Sequence, residues 1–268
     1  MTRLVEEDVR KIAGELESYD AGLIRVTGLS LRQIACAAAG ITEQDLMERA
    51  GRVAVVPVTA GKGLIPSFTD AVKSIVRYLG FTAFVTAKTD VAGIAEGIAR
   101  EATILFMADD NIFMALNLCT GVVIDNGEAT GRGFVAALDA AARGLEGKSA
   151  LVIGAGAVGT AAIAALKKRG AKVALYEKDE GKAKQNRSDL GITIEMDLHE
   201  ALGSYRYIID ATPQGGFIEP ELLHPGAMIA CPGLPPGLDP RACSRLQVDM
   251  IHDPLQTGVA TMLALAIL

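Results

Sequence analysis

The stretch "SALVIGAGAVGTAAIAALKKRGAKVALYEKDE" carries Gly154, Gly156 and Gly159 in the order Gly-x-Gly-x-x-Gly. Glycines at that spacing serve the binding of a pyrophosphate. The first permits a tight turn, the second lets the backbone approach the phosphates, and the third lets a helix pack closely on a strand. The helix N-terminus then faces the negative charge. An apolar run leads directly into the motif, an alanine-rich helical pattern follows it, and a second apolar run ends at Glu177. In this strand–turn–helix–strand setting the motif predicts a dinucleotide site formed by Gly154, Ala155, Gly156, Ala157, Val158 and Gly159. The competing reading is a glycine-rich turn that holds no ligand. A carboxylate at Glu177 would accept hydrogen bonds from both adenine-ribose hydroxyls and repel a 2′-phosphate. NAD is therefore the expected cofactor, although Lys178 next door would favour NADP. "IIDATPQGG" and "CPGLPPG" each end a later apolar run in a Pro/Gly turn. They place Ala211, Thr212, Pro213, Pro232 and Gly233 at the carboxyl edge of the sheet, where the nicotinamide half binds, unless each is a plain turn.

A second glycine-rich stretch, "VVPVTAGKGLIPSF" (55–68), needs another role. A nucleotide-triphosphate loop requires glycine at the position of Val56 and Ser or Thr at that of Gly63, so this reading fails at both ends. Cys36, Cys119, Cys231 and Cys243 show no C-x-x-C spacing and, with His199, His224 and His252, give no metal-ligand cluster. They read as reduced thiols of a cytoplasmic protein.

The elements that must position these residues are legible from periodicity. Helical patterns run through "EEDVRKIAGELESY", "LSLRQIACAAAG" and "TEQDLMERAG", the last with Thr42 and Asp45 at capping-box spacing. The runs "RVAVVPVT", "FTAFVT" and "TILFMA" alternate with the helical "SFTDAVKSIVRYLG", "DVAGIAEGIAREA" and "NIFMALNL". That order predicts a βαβαβ array and a parallel sheet. "DNGEATGRG" reads as a loop feeding the helix "FVAALDAAARGLEG". From Lys148 the alternation restarts, with a helix expected over "EGKAKQNRSDLG" and short strands at "ITIEM", "RYIIDA", "AMIAC" and "QVDMI". The expected fold is α/β with two domains: a smaller N-terminal α/β domain preceded by helices (1–146), and a C-terminal Rossmann domain (147–268) whose last helix lies at the cleft.

The 268 residues fit two modest domains, and with 50% hydrophobic residues they can bury sizeable cores. A net charge of −6, a small aromatic share and no Trp speak against nucleic acid and anionic membranes as partners. The charged start "MTRLVEEDVRK" is no signal peptide, and "GVATMLALAIL" is too short for a membrane span. It reads as a buried helix, with a homodimer face as the alternative use.

Several stretches together resemble the pyrrolysine synthase family: "RVTGL" (25–29), "VPVTAGKGLIPSF" (56–68), "LGFTAF" (79–84), "MADD" (107–110), "NL" (117–118) and "DPLQTGVATML" (253–263). The resemblance spans nearly the whole chain, and its N-terminal pieces are not generic to dinucleotide-binding domains. It implies NAD-dependent oxidation of the terminal amine of L-lysine-Nε-3-methyl-D-ornithine, with loss of ammonia and closure of an imine ring. It implies substrate-binding roles for Leu4, Thr59, Ala60, Gly61, Asp109 and Asp253, with Asp109 also catalytic, since a fixed carboxylate would stabilise the developing iminium. Thr59, Ala60 and Gly61 would form a loop closing over the substrate, their backbone N–H groups facing an amino-acid carboxylate. The chain departs from the family pattern in having Ala60 for serine and Asp253 for glutamate. On the residues alone, Asp109 and Asp110 could instead cap the helix "NIFMALNL", and Asp253 could be a solvated turn residue. His252 is an outside candidate for a base. The alternatives for the whole chain are another NAD(P)-dependent amino-acid or imine dehydrogenase, a shikimate-dehydrogenase-like reductase, whose Lys–Asp pair is not visible here, or a non-catalytic NAD-binding redox sensor.

Overall fold

A computed structural model describes residues 4–183, 191–245 and 250–268. The chain forms two compact units. The first holds residues 1–22, 30–130 and 254–268, and the second residues 23–29 and 131–253.

In the first unit four helices, α1 (Glu6–Val9), α2 (Ile12–Thr27), α3 (Leu31–Ala39) and α4 (Glu43–Glu48), precede the sheet. The expected cap forms, Thr42 opening α4 through a capping box with Asp45, and Ser30 opens α3 in the same way with Gln33. Among the described residues the sheet has five strands in the order β2 (Thr82–Val85), β1 (Arg52–Val56), β3 (Ile104–Ala108), β4 (Phe113–Asn117), β5 (Val123–Asp125). The first three run parallel, joined by α5 (Phe68–Tyr78) and α6 (Asp90–Ala99). Ala71, Val72, Ile75 and Val76 form the buried stripe of α5, which packs on β1 and β2.

Two expectations are corrected here. "NIFMALNL" is not a helix; it contains β4, which pairs antiparallel with β3, and β5 pairs antiparallel with β4. The sheet is therefore mixed. Phe113, Ala115 and Asn117 are buried while Met114 and Leu116 between them are half-buried, a period of two. A run this short cannot be assigned by periodicity alone, and the Asp-Asp-Asn turn ahead of it decides for a hairpin. "DNGEATGRG" is likewise not a loop, because α7 (Asn126–Ala141) starts inside it. Asp125 Oδ1 accepts from the backbone N–H groups of Gly127 (2.7 Å) and Glu128 (3.2 Å), capping that helix. Gly131 is there for close packing: a Cβ would stand 2.5 Å from Val158 O.

The second unit is a parallel sheet of six strands among the described residues. They are β6 (Ser149–Ile153), β7 (Lys172–Tyr176), β8 (Thr193–Ile194), β9 (Tyr207–Asp210), β10 (Met228–Cys231) and β11 (Met250–His252). Their spatial order, β8-β7-β6-β9-β10-β11, is the 3-2-1-4-5-6 of the Rossmann fold. Leu151, Ile153, Ile208, Ile229 and Cys231 build its core with Leu202 and Ile218. Helices α8 (Ala157–Lys168), α9 (Leu198–Ser204) and α10 (Pro240–Arg245) belong to the unit, together with α7 from Gly131 onward. Residues 180–183 are helical, and the rest of the helix expected there lies outside the described residues, as does most of "QVDMI".

The division differs from an expected boundary at 146/147. It falls within α7, between Thr130 and Gly131, and the terminal segment leaves the Rossmann unit. Helix α11 (Gln256–Ala266) is buried along its whole length and packs on α3, α5, β4 and β5. Asn117 Nδ2 donates to Ala266 O at 2.7 Å, and Tyr19 Oη lies 3.1 Å from Thr257 Oγ1. The apolar tail thus completes the core of the first unit. No described helix is long and apolar enough to cross a membrane.

Candidate functional site

The carboxyl end of β6 turns at Gly154, whose φ of 93° lies where glycine is favoured. Ala155 follows, and Gly156 caps α8 with no side-chain hydrogen bond to the helix. A Cβ on Gly159 would meet Gly154 O at 1.9 Å, so only glycine lets α8 start this close to the strand. A Cβ on Gly156 would meet nothing within 4 Å. The loop therefore presents open space in front of the first turn of α8, whose backbone N–H groups have no intrahelical acceptor. Ala157 and Val158 form that first turn. These residues fit a pyrophosphate.

Glu177 follows β7 and reaches back to the loop: its Oε2 accepts from Ala155 N at 2.7 Å and its Oε1 from Asp179 N at 3.0 Å. The acid is thereby aimed over the edge where an adenine ribose lies in such sheets. Lys178 points its ammonium at Gln214 Oε1, 2.7 Å away. Ala211 abuts the loop, with its O 3.2 Å from the position of a Gly154 Cβ, as does Thr212 Cγ2. A Cβ on Gly233 would stand 1.9 Å from Thr212 O, so the turns after β9 and β10 lie against each other. Pro213 is exposed and Pro232 half-buried.

One residue that sequence reasoning missed sits beneath these turns. Asp210, fully buried at the end of β9, accepts from Thr212 Oγ1 (2.8 Å), Thr212 N (3.1 Å) and Gly237 N (2.7 Å). Burial pushes its carboxyl up, opposed by these donors and by the charge of His252. The signal available was an acid closing an otherwise apolar run, "YIID". His252 Nδ1 lies 2.8 Å from Cys231 O. A carbonyl only accepts, so Nδ1 carries the proton. Asp253 follows β11 and is 4% exposed, which removes the reading of a solvated turn residue.

In the first unit the loop after β1 is held by two carboxylates, Asp90, which the sequence did not flag, and Asp110, which it flagged only as a possible helix cap. Asp90 accepts from Thr59 N (2.8 Å) and Thr59 Oγ1 (2.7 Å). It does so from a φ of 54°, a conformation sustained by its own N–H donating to Pro57 O at 2.9 Å. Asp110 Oδ2 accepts from Lys62 N at 2.7 Å, and a Cβ on Gly61 (φ 68°) would stand 2.2 Å from that same oxygen. Two of the loop's N–H groups are thus already used, one at each end, while Ala60 and Gly61 are exposed between them.

Asp109 begins the β3–β4 turn. Its Oδ1 accepts from Asn111 N (2.7 Å) and Ile112 N (2.9 Å), and its N–H donates to Ile112 O (2.9 Å). These contacts, Ile112 first, hold its carboxyl below the usual range. Oδ2 makes no hydrogen bond among the described residues. With no helix here, neither Asp109 nor Asp110 is a helix cap. Leu4 is half-buried ahead of α1.

The sheet order and the glycine loop at the switch point between β6 and β9 define the class: a protein with a dinucleotide-binding Rossmann domain. Residues 8–124 match the family described as Pyrrolysine biosynthesis protein PylD, N-terminal domain, and residues 128–220 match Alanine dehydrogenase/PNT, C-terminal domain. Pyrrolysine synthase of Methanosarcina acetivorans is 33% identical over 98% of this chain and 98% of its own, and that of Methanosarcina barkeri 32% over 98% and 97%. The chain belongs to the pyrrolysine synthase family. Among solved structures, shikimate dehydrogenase from Aquifex aeolicus gives a TM-score of 0.53 at 18% identity, covering 78% of this chain and 88% of that one. Quinate dehydrogenase from Corynebacterium glutamicum in complex with NAD also gives 0.53, at 15% identity, over 81% and 92%. Both share the fold.

Proposed function

We propose that the protein oxidises the terminal amine of L-lysine-Nε-3-methyl-D-ornithine with NAD and closes the product to pyrrolysine. The observation that carries this reading is the similarity to proteins named pyrrolysine synthase over 98% of the chain, both units included. Gly154 to Gly159 would hold the pyrophosphate, Glu177 the adenine ribose, and Ala211, Thr212, Pro213, Pro232 and Gly233 the nicotinamide end. NAD, when bound, supplies the acceptor for the hydride. The preference over NADP rests on Glu177, fixed by Ala155 and Asp179 so that a 2′-phosphate would meet its charge.

On the substrate side Asp109 is the proposed catalytic residue. Removing hydride from a carbon that bears an amine leaves an iminium, and one proton is released from the ammonium beforehand. A carboxylate with one oxygen locked by two backbone N–H groups and the other unengaged is preorganised to stabilise that charge. The ornithine α-amine then attacks the same carbon and ammonia leaves, with five-membered closure holding the partners at high effective concentration. Leu4, Thr59, Ala60, Gly61 and Asp253 are proposed to bind the rest of the substrate. With Thr59 N and Lys62 N taken by Asp90 and Asp110, the loop is flanked by negative charge. This favours an ammonium of the substrate over a carboxylate as its partner. Incubating protein and NAD with lysine-linked methylornithine should produce NADH and a product lighter by ammonia and two hydrogens. Absence of NADH formation with this substrate would overturn the reading.

A further inference from the structure

Asp210 has no part in the chemistry above, and its surroundings are those of a built junction. It is fully buried, and its two carboxylate oxygens accept from two different loops. Oδ1 takes the hydroxyl and N–H of Thr212 at 2.8 and 3.1 Å, fixing the turn after β9. Oδ2 takes Gly237 N at 2.7 Å, fixing the segment that returns after β10. Its backbone O also accepts from Gly233 N at 3.2 Å. Space is exhausted around the junction: a Cβ on Gly237 would stand 2.5 Å from Asp210 Oδ2 and 2.5 Å from the Phe217 ring. Three donors converge on two oxygens, so only a group that accepts on both sides satisfies them, and an ionised carboxylate does. A charge buried this far persists only where it is so bonded.

We propose that Asp210 is a positioning residue for the nicotinamide end of the dinucleotide. As an anionic strut it locks the turns after β9 and β10 together, so that Thr212 and Gly233 are preset for the ring. This rests on the reading of that edge as the nicotinamide half, not on the identity of the substrate. Asp210 acts from below, through the loops. Its loss therefore affects the part of the ligand those loops meet and spares the ADP-ribose part, held by the Gly154 loop and Glu177.

The experiment is calorimetric titration of the full chain with NAD and, separately, with ADP-ribose, for the wild type, Asp210→Asn and Gly237→Ala. Asparagine can satisfy one loop with its oxygen but turns an NH₂ toward the other, while alanine at 237 forces the strut apart and leaves the charge in place. Each variant should bind NAD about tenfold or more weakly, the effect of one lost charge-assisted contact, while ADP-ribose affinity changes by less than about twofold. Equal losses for the two ligands would mean a general structural role and overturn the proposal, as would unchanged NAD affinity in both variants. If Asp210→Asn does not fold, Gly237→Ala decides by the same split. A wild type that binds ADP-ribose but gains nothing from the nicotinamide end would also sink it, without touching the reading of the glycine loop.

Discussion

Two alanine substitutions three residues apart in the glycine loop should have opposite consequences, and the structure gives the size of each. In Gly159→Ala the new methyl falls 1.9 Å from Gly154 O and 3.0 Å from Gly154 C. Both are backbone atoms, so no side chain can swing away, and α8 must retreat from β6. Forced overpacking of this kind costs about 1–3 kcal/mol, against about 1 kcal/mol gained from alanine in a helix. The net is a loss of up to about 2 kcal/mol, a fall in melting temperature of several degrees, and a displaced helix N-terminus. In Gly156→Ala the methyl meets nothing within 4 Å and φ is −74°, ordinary for any residue. Restricting the unfolded chain contributes about 0.4–1 kcal/mol, and replacing glycine by alanine at a helix N-cap takes away a similar amount. Melting should stay put. The methyl nevertheless stands where the backbone must approach the pyrophosphate. Losing one charge-assisted hydrogen bond there, about 1.5–3 kcal/mol, weakens NAD by roughly 10- to 150-fold. Thermal melts without nucleotide and calorimetric titration with NAD measure the two effects separately. Wild-type NAD affinity in Gly156→Ala would refute the assignment of this loop to the pyrophosphate.

Four further outcomes are expected. Asp109→Asn keeps both turn contacts through its single amide oxygen, so melting should hold while turnover with saturating NAD falls by on the order of 10² to 10³, and Asp110→Asn should leave turnover much closer to wild type. Titration of the wild type should give at least about tenfold tighter binding of NAD than NADP, and Glu177→Ala should narrow that ratio; equal affinities in the wild type would mean that Lys178 governs the choice. Iodoacetamide at mildly alkaline pH should label exposed Cys119 in the native protein and spare Cys36, whose burial pushes its thiol up to about 11, with peptide mass spectrometry as the readout. Asp90, Glu96, Asp109 and Asp239 are each held low by backbone N–H donors, so their contribution is present above the usual carboxylate range and is lost as pH falls through their folded-state values. Asp210, raised by burial, has the opposite sign: its term is fully present below the ordinary carboxylate value and is lost as pH rises through its folded-state value, so a melting temperature that rises on acidification toward about pH 4 would show that it dominates.

What the sequence made legible was whatever depends on local pattern. The Gly-x-Gly-x-x-Gly turn, the capping box at Thr42, and the strand–helix alternation from Ser149 are encoded in neighbours a few positions apart, and the fold class follows from them. Three things escaped for physical reasons. Four apolar residues at 113–116 satisfy helix and strand templates alike, and the hairpin is decided by side-chain-to-backbone bonds from Asp109. The glycines of "DNGEATGRG" look like loop residues until Gly131 is seen against Val158, a contact between distant parts of the chain. The allocation of α11 to the first unit depends on which core its wholly buried surface enters, and a helix buried all round carries no periodic signal of its neighbour. In the candidate site the same rule holds. Glu177 was found because its spacing from the glycines is fixed by one strand and one helix. Asp90 and Asp210 were not, because their partners, Thr59 and Gly237, are set by tertiary structure.

The distribution of charge between the two units has a chemical logic of its own. At the carboxyl edge of the Rossmann sheet the buried acid Asp210 is spent on holding loops, and the imidazole of His252 is turned by Cys231 so that its protonated nitrogen faces a carbonyl. The loop of the first unit, by contrast, is bonded by Asp90 at Thr59 and by Asp110 at Lys62, and Asp109, next to Asp110 in the chain, keeps one oxygen unengaged. A site that oxidises an amine has to hold a substrate that gains positive character at the reacting carbon, and it must do so without a strong base that would hydrolyse the imine. Fixed carboxylates held well below neutrality by backbone donors meet both demands, since they stay charged yet are poor proton acceptors. On the proposed amine-oxidising reading, the proton from the substrate ammonium would leave to solvent and the carboxylate's contribution would be electrostatic.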